Sequence, residues 1–231
     1  MIEITNIHKS YKMGDTLVHA LKGVSLKIEE GDYVAIMGPS GSGKSTLSHI
    51  LGLLDIPTSG SYKIYGKEVS KYSEDELALL RRTETGFIFQ QFHLLPTLTV
   101  AENVELPLLF LGRATSPTQT SKVLELVGLA DRASHLPKEL SGGQMQRVAI
   151  ARALIVKPKI LIADEPTGNL DRAAGQAIFA LFRKLVSEEG LTIIITTHNL
   201  AFGYEADRVI TLEDGRIVRE EVGRVASSLH S

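Results

Sequence analysis

The chain contains no cysteine in its 231 residues. It therefore has no disulfide framework and no thiolate metal site, which suits a reducing compartment. Basic charge is not in excess either, because 25 lysines and arginines face 27 aspartates and glutamates, for a net charge of −2. A protein that binds a nucleic-acid backbone normally needs such an excess. The composition therefore does not favour nucleic acid as a partner.

Long apolar runs are also missing. The richest ones, residues 106–111 and 191–195, fall far short of the about 18 residues that a membrane-spanning helix needs. Residues 1–5 show neither the basic region nor the apolar stretch of a secretion signal. If the protein works at a membrane, another chain is expected to cross it.

What the chain does have is an ordinary globular composition, with 43% hydrophobic and 23% charged residues. These proportions exclude an extended disordered or fibrous protein. A length of 231 residues is enough for one well-buried core with a subdomain inserted in it.

The most informative stretch is a glycine-rich loop between two apolar segments. It runs from Gly38 to Thr46, follows the apolar residues 34–37 and leads into the apolar segment 47–51. This is the G-x-x-x-x-G-K-S phosphate-binding pattern in its strand, turn and helix context. Its glycines let successive N–H groups point into one concavity, to which the helix adds its positive N-terminal end. The predicted phosphate-binding residues are Gly38, Ser40, Gly41, Ser42, Gly43, Lys44, Ser45 and Thr46.

Two of these side chains have specific predicted roles. Lys44 places a compact positive charge on the β and γ phosphates of a nucleoside triphosphate, and Ser45 offers its hydroxyl to a magnesium ion that bridges them. The alternative is a flexible Gly/Ser turn that binds nothing, which the strand before the loop and the helix after it make weaker. The loop indicates a nucleoside triphosphate but not what its energy is used for.

Apolar periodicity predicts an α/β fold with three regions. Up to about residue 70, alternating apolar residues predict a small antiparallel sheet, with an exposed loop at 12–20 around a Gly14-Asp15 turn. Residues from about 92 to 155 look mainly helical and form the expected inserted subdomain. The β/α alternation then returns, with continuous β-branched runs typical of parallel strands covered on both faces. The small, polar tail at 225–231 is expected to fray.

Two adjacent carboxylates follow the apolar strand predicted at 160–163. Asp164 is the predicted metal-side residue, which holds magnesium through its water shell at the edge of a parallel sheet where ligands bind. Glu165 points to a different face and is the predicted residue that orients and deprotonates the attacking water. Two acids after a strand are also compatible with a solvated turn, an alternative that the phosphate loop makes weaker.

A second glycine-containing segment opens the helix predicted at 145–154. It follows Leu140 and offers N–H groups that have no partner within the helix, together with a hydroxyl. Its glycines leave space for an anion to approach the backbone closely. Alone, it is compatible with an ordinary helix cap. Beside a phosphate loop, it indicates a second anion-binding helix start in the same chain. Its residues are Ser141, Gly142, Gly143 and Gln144.

The chain resembles the ATP-binding subunits of ATP-binding cassette (ABC) transporters over essentially its whole length. The pentapeptide 140–144 matches that family's signature, and the phosphate loop and the Asp164-Glu165 pair match its other core motifs. The resemblance implies an α/β P-loop NTPase fold with a RecA-like parallel-sheet core, a small antiparallel β-subdomain and an inserted α-helical subdomain. It also implies a single nucleotide-binding domain over 1–231 and an ATPase that uses ATP and Mg²⁺.

In this family two cassettes dimerise head to tail, so that the signature of one copy closes over the ATP held by the other copy's phosphate loop. The resemblance therefore implies a second copy of this chain as a partner, with 141–144 at the partner's nucleotide. A nucleotide bound by both copies holds the dimer closed, and hydrolysis removes that bridge.

The resemblance assigns four further positions. Tyr11 matches the aromatic residue that stacks on adenine, and Gln90 matches the glutamine that senses the magnesium and the attacking water. Asp171 matches the loop that communicates across the dimer, and His198 matches the switch histidine that contacts the γ-phosphate. From the residues alone, a tyrosine or a histidine at a strand end is more often a packing residue. The implied catalytic set is Glu165, His198 and Gln90, and the implied metal set is Ser45, Gln90 and Asp164.

Several stretches resemble the branch of macrolide-efflux, lipoprotein-releasing and cell-division ATPases. They are the loop 12–20, residues 51–55 with 57–60, residues 92–96 and residues 163–171. This branch implies an integral membrane permease as a partner, in some complexes with a periplasmic adaptor, and a place at the cytoplasmic face of the membrane. A regulatory cassette that controls a cell-wall hydrolase without transport is the alternative, and only the membrane partner separates the two. The permease is expected to dock near 90–104, unless the apolar side chains there form the subdomain's own core. These side chains are Phe92, Leu94, Leu95 and Leu98.

Overall fold

The computed structural model describes residues 1–223, so the tail expected to fray lies outside the described residues. The strands are β1 (Ile2–Met13), β2 (Thr16–Ile28), β3 (Tyr33–Met37), β4 (Ser59–Ile64), β5 (Lys67–Glu68), β6 (Thr85–Ile88), β7 (Ile160–Asp164), β8 (Thr192–Thr197), β9 (Arg208–Glu213) and β10 (Arg216–Val222). The α-helices are α1 (Lys44–Leu51), α2 (Glu74–Thr83), α3 (Val100–Phe110), α4 (Pro117–Leu126), α5 (Gly142–Leu154), α6 (Arg172–Glu189) and α7 (Leu200–Gly203). Within this part of the chain, none of the helices is both long and apolar enough to cross a lipid bilayer.

One sheet is antiparallel, with the strand order β2-β1-β4-β5. Its presence confirms the sheet predicted for the first 70 or so residues. The loop expected at 12–20 is wrong in part, because β1 continues to Met13 and β2 begins at Thr16, so that only Gly14 and Asp15 form the turn. The segment is exposed, as expected. The pairing of β1 with β2 continues to Met13 and Thr16, through exposed residues. It therefore reaches past the part of these strands in which alternating apolar side chains are buried.

The second sheet has the order β10-β9-β3-β8-β7-β6. Its neighbouring strands are parallel, except for the antiparallel pair of β9 and β10. Every residue of β3 and β8 is buried, as continuous apolar runs predict. Tyr33 and Ala35 of β3 belong to one apolar cluster, whereas Val34 and Ile36 belong to another. Since successive side chains of a strand point to opposite faces, the sheet carries an apolar layer on each face.

Helices α3, α4 and α5 lie between β6 and β7 in the chain. Thr99 is the N-cap of α3 and Ser141 is the N-cap of α5, each with a capping box. In a capping box the N-cap side chain accepts from the N–H three residues on, and that residue's side chain accepts from the N-cap N–H. Helix α5 contacts α3 and α4, and it also contacts β6 and α6. Helix α5 therefore connects α3 and α4 to the parallel sheet.

Candidate functional site

Neighbouring parallel strands end together at one edge of the larger sheet. Strand β8 lies between β3 and β7, with Thr196 opposite Ile36 on one side and opposite Asp164 on the other. Loops that follow the carboxyl ends of parallel strands meet at that edge. The phosphate loop after β3, the carboxylates at the end of β7 and His198 after β8 therefore converge, although long stretches of sequence separate them.

The phosphate loop has a backbone conformation that glycine adopts without strain. The φ angle is +153° at Gly38, +77° at Gly41 and +102° at Gly43, a range that a Cβ atom disfavours. A Cβ added at Gly38 would also lie 2.0 Å from the carbonyl oxygen of Leu212 in β9. The shape of the loop is therefore set by its backbone and by its packing against β9.

We expect Gly38→Ala to destabilise the protein more than Gly31→Ala. Both positions have a positive φ, but a Cβ at Gly31 meets no atom within 4 Å, whereas a Cβ at Gly38 overlaps the Leu212 carbonyl. The overlap should add about 2 kcal/mol to the backbone strain that both variants share. Urea unfolding measures the difference. Equal midpoints would show that the loop moves away from β9 at no cost.

Lys44 lies inside this loop. Its Nζ donates to the carbonyl oxygens of Gly38 and Pro39, each at 3.0 Å, and the residue is only 7% exposed. A buried ammonium whose hydrogen-bond acceptors are neutral carbonyls binds an anion favourably. Helix α1 begins at Lys44 with no side-chain cap, and the buried hydroxyl of Ser42 has no hydrogen-bond partner within residues 1–223. These donors fit the phosphate groups of a nucleotide.

Asp164 connects the loops of this edge. Its Oδ1 accepts hydrogen bonds from the hydroxyls of Ser45 at 3.2 Å and Thr196 at 2.5 Å. His49 Nε2 lies 3.9 Å from Oδ2 of Asp164. Hydroxyl and carboxylate oxygens are the ligands that Mg²⁺ prefers. The Ser45 and Asp164 oxygens fit the predicted magnesium site, whereas no motif in the sequence marks Thr196 or His49 as their neighbours.

Glu165 and His198 form a direct pair across the ends of β7 and β8. Nδ1 of His198 lies 2.7 Å from Oε2 of Glu165, whose side chain is 16% exposed against 67% for the histidine. Glu165 has a left-handed backbone, with φ at +49°, and its N–H donates to both the carbonyl and hydroxyl oxygens of Thr196. Such a backbone costs roughly 1–3 kcal/mol in a non-glycine residue and is typical of functional positions. The sequence gives no sign that these two side chains meet.

Gln90 lies just beyond the end of β6. Its carbonyl oxygen accepts a hydrogen bond from Asn169 Nδ2 at 3.0 Å. Its side-chain amide lies against Gly168, where an added Cβ would be 2.8 Å from Nε2. These contacts join Gln90 to the loop that follows Glu165, rather than directly to Ser45 or Asp164, and so connect that loop to the segment leading into α3.

The signature segment begins α5 and packs beside the same loop. The Ser141 hydroxyl accepts from the Gln144 N–H at 3.3 Å, and Gln144 Oε1 accepts from the Ser141 N–H at 2.8 Å. An added Cβ would lie 3.4 Å from Leu170 at Gly142 and 3.0 Å from Ala174 at Gly143. Asp171 accepts from the Ala174 N–H at 2.8 Å and so caps α6. The signature and the Asp171 loop are therefore neighbours within one chain.

Tyr11 lies in β1 and is 36% exposed. Its hydroxyl donates to Oδ2 of Asp55 at 2.7 Å. Partial burial and the Asp55 carboxylate raise the pKa of Tyr11. Asp55 is not among the predicted site residues. No local pattern marks it, because the contact joins β1 to the segment after α1.

These features define a class of protein. A curled glycine-rich loop at the start of a helix, a buried lysine inside it and a carboxylate on a nearby parallel strand are the parts of a P-loop nucleoside triphosphatase. The Glu165–His198 pair adds a second carboxylate and an imidazole at the same edge.

Comparison with known proteins narrows this class. Residues 21–168 match the family model described as ABC transporter. The chain is 56% identical over 221 residues to the macrolide export ATP-binding/permease protein MacB of Bdellovibrio bacteriovorus, covering 96% of this chain and 34% of MacB. It is 53% identical over 220 residues to the uncharacterized ABC transporter ATP-binding protein MJ1508 of Methanocaldococcus jannaschii, covering 94% of this chain and 98% of MJ1508. The chain thus spans about a third of the MacB relatives and nearly all of MJ1508.

A solved structure described as the dimeric post-hydrolysis state of the ATP-binding cassette MJ0796, bound to ADP and Pi, matches this fold with a TM-score of 0.89. The two sequences are 46% identical, and the match covers 97% of this chain and 99% of that one. This chain belongs to the ABC transporter family, as one of its ATP-binding cassettes. The predicted family, fold class and ATPase function are confirmed.

Proposed function

We propose that this chain binds ATP with Mg²⁺ and hydrolyses it as one half of a homodimer that drives a separate membrane permease. The convergence of Lys44, Ser45, Asp164, Glu165 and His198 at one sheet edge carries the proposal. The chain acts as one nucleotide-binding domain over 1–231, with the helical region at about 92–155 as its inserted subdomain.

ATP binds to the phosphate loop in the conformation described above. Phosphate oxygens of ATP accept hydrogen bonds from the N–H groups at the start of α1 and from Lys44, which exchanges its bonds to the Gly38 and Pro39 carbonyls for stronger charge-assisted ones. Ser45 and Asp164 hold Mg²⁺, which when bound neutralises negative charge on the phosphates.

Hydrolysis is the in-line attack of water on the γ-phosphorus. Glu165 orients the water and takes its proton while the new P–O bond forms and the bond to the ADP oxygen breaks, which releases ADP and phosphate. The bond from His198 keeps the Glu165 carboxylate in one orientation. Gln90 contacts the loop after Glu165 and so connects the state of the site to the helical region.

A second copy completes the site. The relative MJ0796 is described as a dimer with ADP and Pi. In this chain Ser141 is an exposed N-cap whose hydroxyl and following N–H groups lie next to the Asp171 loop. Residues 141–144 of one copy contact the γ-phosphate held by the other copy, and Asp171 lies at the interface. A nucleotide that contacts both copies stabilises the closed dimer by its binding free energy.

We expect Ser141→Arg to block dimer closure and to lower the rate of ATP hydrolysis roughly 100-fold, while ATP binding by the phosphate loop is retained. The reason is that arginine occupies the space that the partner's triphosphate needs. Hydrolysis rates and ATP titrations of the variant measure both effects.

Ser73→Arg is the matched control, because Ser73 is an exposed N-cap with the same reciprocal bonds to Glu76 in α2. It loses the same cap, at about 1 kcal/mol, away from the site. Normal ATP hydrolysis by Ser141→Arg would rule out the proposed role of the signature.

The permease is proposed to dock in a groove of about 480 Å³ between β6 and α3. The chain would then lie at the cytoplasmic face of the membrane, bound through the permease. Among the docking residues expected from the sequence, Leu95 is 46% exposed, whereas Leu94 packs against the core. The proposed docking surface is therefore this groove near the end of α3, rather than residues 90–104. Its lining is Ala78, Arg81, Arg82, Thr85, Gly86, Phe87, Phe89, Leu106, Pro107, Phe110, Leu111, Arg152, Ala153 and Val156.

Co-purification from native membranes tests this partner. The membrane protein that binds this chain should be a permease, alone or with a periplasmic adaptor, and Phe110→Asp should weaken the complex because Phe110 lines the groove and is 72% exposed. Val218→Asp is a control on an exposed apolar residue of β10. Equal recovery of the permease by both variants would exclude the groove as the docking site.

A further inference from the structure

Lys9, Tyr11 and Asp55 form a cluster beside the phosphate loop. Lys9 Nζ donates to Oδ1 of Asp55 at 2.5 Å, and the Tyr11 hydroxyl donates to Oδ2 at 2.7 Å. The Lys9 ammonium also lies 4.9 Å from the centre of the Tyr11 ring. Asp55 thus accepts a hydrogen bond from the hydroxyl of Tyr11, and Lys9, which is paired with Asp55, covers one face of the ring.

The Asp55 carboxylate is itself held in place. Its Oδ1 also accepts from the Ile56 N–H at 2.8 Å, and Lys9 donates in addition to the Ile56 carbonyl at 2.8 Å. Lys9 is 9% exposed, so its charge needs these acceptors. The Asp55 N–H donates to the carbonyl of His49 in α1 at 3.3 Å. The carboxylate is therefore an ordered acceptor attached to the helix that follows the phosphate loop.

We infer that Asp55 is a positioning residue for nucleotide binding, which fixes the Tyr11 ring relative to the phosphate loop and, with Lys9, leaves one ring face for adenine. The inference rests on the proposed role of Tyr11 in adenine binding. Beyond Tyr11 the hairpin of β1 and β2 is exposed at 12–19. Without Asp55, the ring would be attached to the core mainly through this strand.

The hydroxyl of Tyr11 also links the ring to the loop. The side chain of Thr46, in the first turn of α1, lies near it. The hydroxyl is thus placed between Asp55 and the turn that binds phosphate. This position sets the separation between the ring and the triphosphate site.

The covered face of the ring determines how a base binds. An ammonium over one face of an aromatic ring is a favourable contact, which a base stacked on that face would have to displace. On the opposite face the base meets a ring whose orientation is already fixed, so less side-chain freedom is lost on binding. Removal of Asp55 should therefore weaken the binding of the base but not of the triphosphate.

Calorimetric titration with ATP and with inorganic tripolyphosphate, each with Mg²⁺, tests the inference on Tyr11→Phe, Asp55→Ala and the double variant. Tripolyphosphate has no base, so it reports on the phosphate loop alone. Each single variant should weaken ATP binding roughly three- to tenfold and leave tripolyphosphate binding unchanged. The double variant should be no weaker than the single ones, because both changes remove the same hydrogen bond. Tyr204→Phe is the matched control, since the Tyr204 hydroxyl donates to Glu221 at 2.6 Å.

Tyr11→Ala separates this inference from the proposed function. If Tyr11→Ala weakens ATP binding but Tyr11→Phe and Asp55→Ala match the wild type, the adenine role stands and the positioning role is wrong. If Tyr11→Ala binds ATP normally, both are wrong. Equal losses for ATP and tripolyphosphate in Asp55→Ala would overturn the inference, because Asp55 then acts on the phosphate loop. Additive losses in the double variant would also overturn it.

Discussion

Glu165→Gln is expected to slow ATP hydrolysis about 1000-fold while ATP affinity stays within about twofold of the wild type. The amide keeps the size of the side chain and its contact with His198 Nδ1, but it cannot take a proton from the attacking water. ATP then remains bound, so the variant should accumulate as an ATP-bound dimer. Phosphate release and size-exclusion chromatography with ATP measure the two effects.

Glu188→Gln is the control, because Glu188 lies on the surface of α6 in an ion pair with Lys184. It should hydrolyse ATP at the wild-type rate. Wild-type hydrolysis by Glu165→Gln would mean that another group deprotonates the water. A variant that is inactive yet remains monomeric, with ATP and the permease present, would contradict the dimer model.

Lys44→Ala is expected to lose ATP affinity or turnover by about 10- to 100-fold. A hydrogen bond to a charged group contributes about 1.5–3 kcal/mol, and Lys44 is the buried cation inside the phosphate loop. The truncation also leaves the Gly38 and Pro39 carbonyls without their donor. Steady-state kinetics and ATP titration measure the loss.

Lys184→Ala removes an exposed lysine from α6 and serves as the control for loss of a positive charge. Thermal unfolding of both variants without nucleotide separates loss of binding from loss of fold. Wild-type hydrolysis by Lys44→Ala would remove Lys44 from the site.

Local signals in the sequence predicted much of this protein. The phosphate loop, the helix start at Ser141 and the buried strand β8 all follow from patterns that span a few residues. Their physical causes are equally local: positive φ at glycine, satisfaction of N–H groups at a helix start, and apolar runs that must be buried. The hairpin at 12–20 was predicted to be a loop, because its strands continue through exposed residues that lie outside the buried face.

The contacts that complete the site were not predictable in this way. The Glu165–His198 pair and the bonds from Ser45 and Thr196 to Asp164 depend on β8 lying between β3 and β7. Strand order is decided by the burial of apolar surface over the whole chain, and no short pattern records it. The resemblance to a family supplied residue roles, but not these partners.

The sequence by itself determined that the chain has a triphosphate loop, a carboxylate pair, a signature helix start and the elements of an α/β fold. Each of these depends on the chemistry of neighbouring residues. Only the tertiary structure decided which side chains meet: Ser45 with Asp164, Glu165 with His198, and Tyr11 with Asp55. These pairs come from distant segments, and close packing of the two sheets and their helices is what brings them within hydrogen-bond distance.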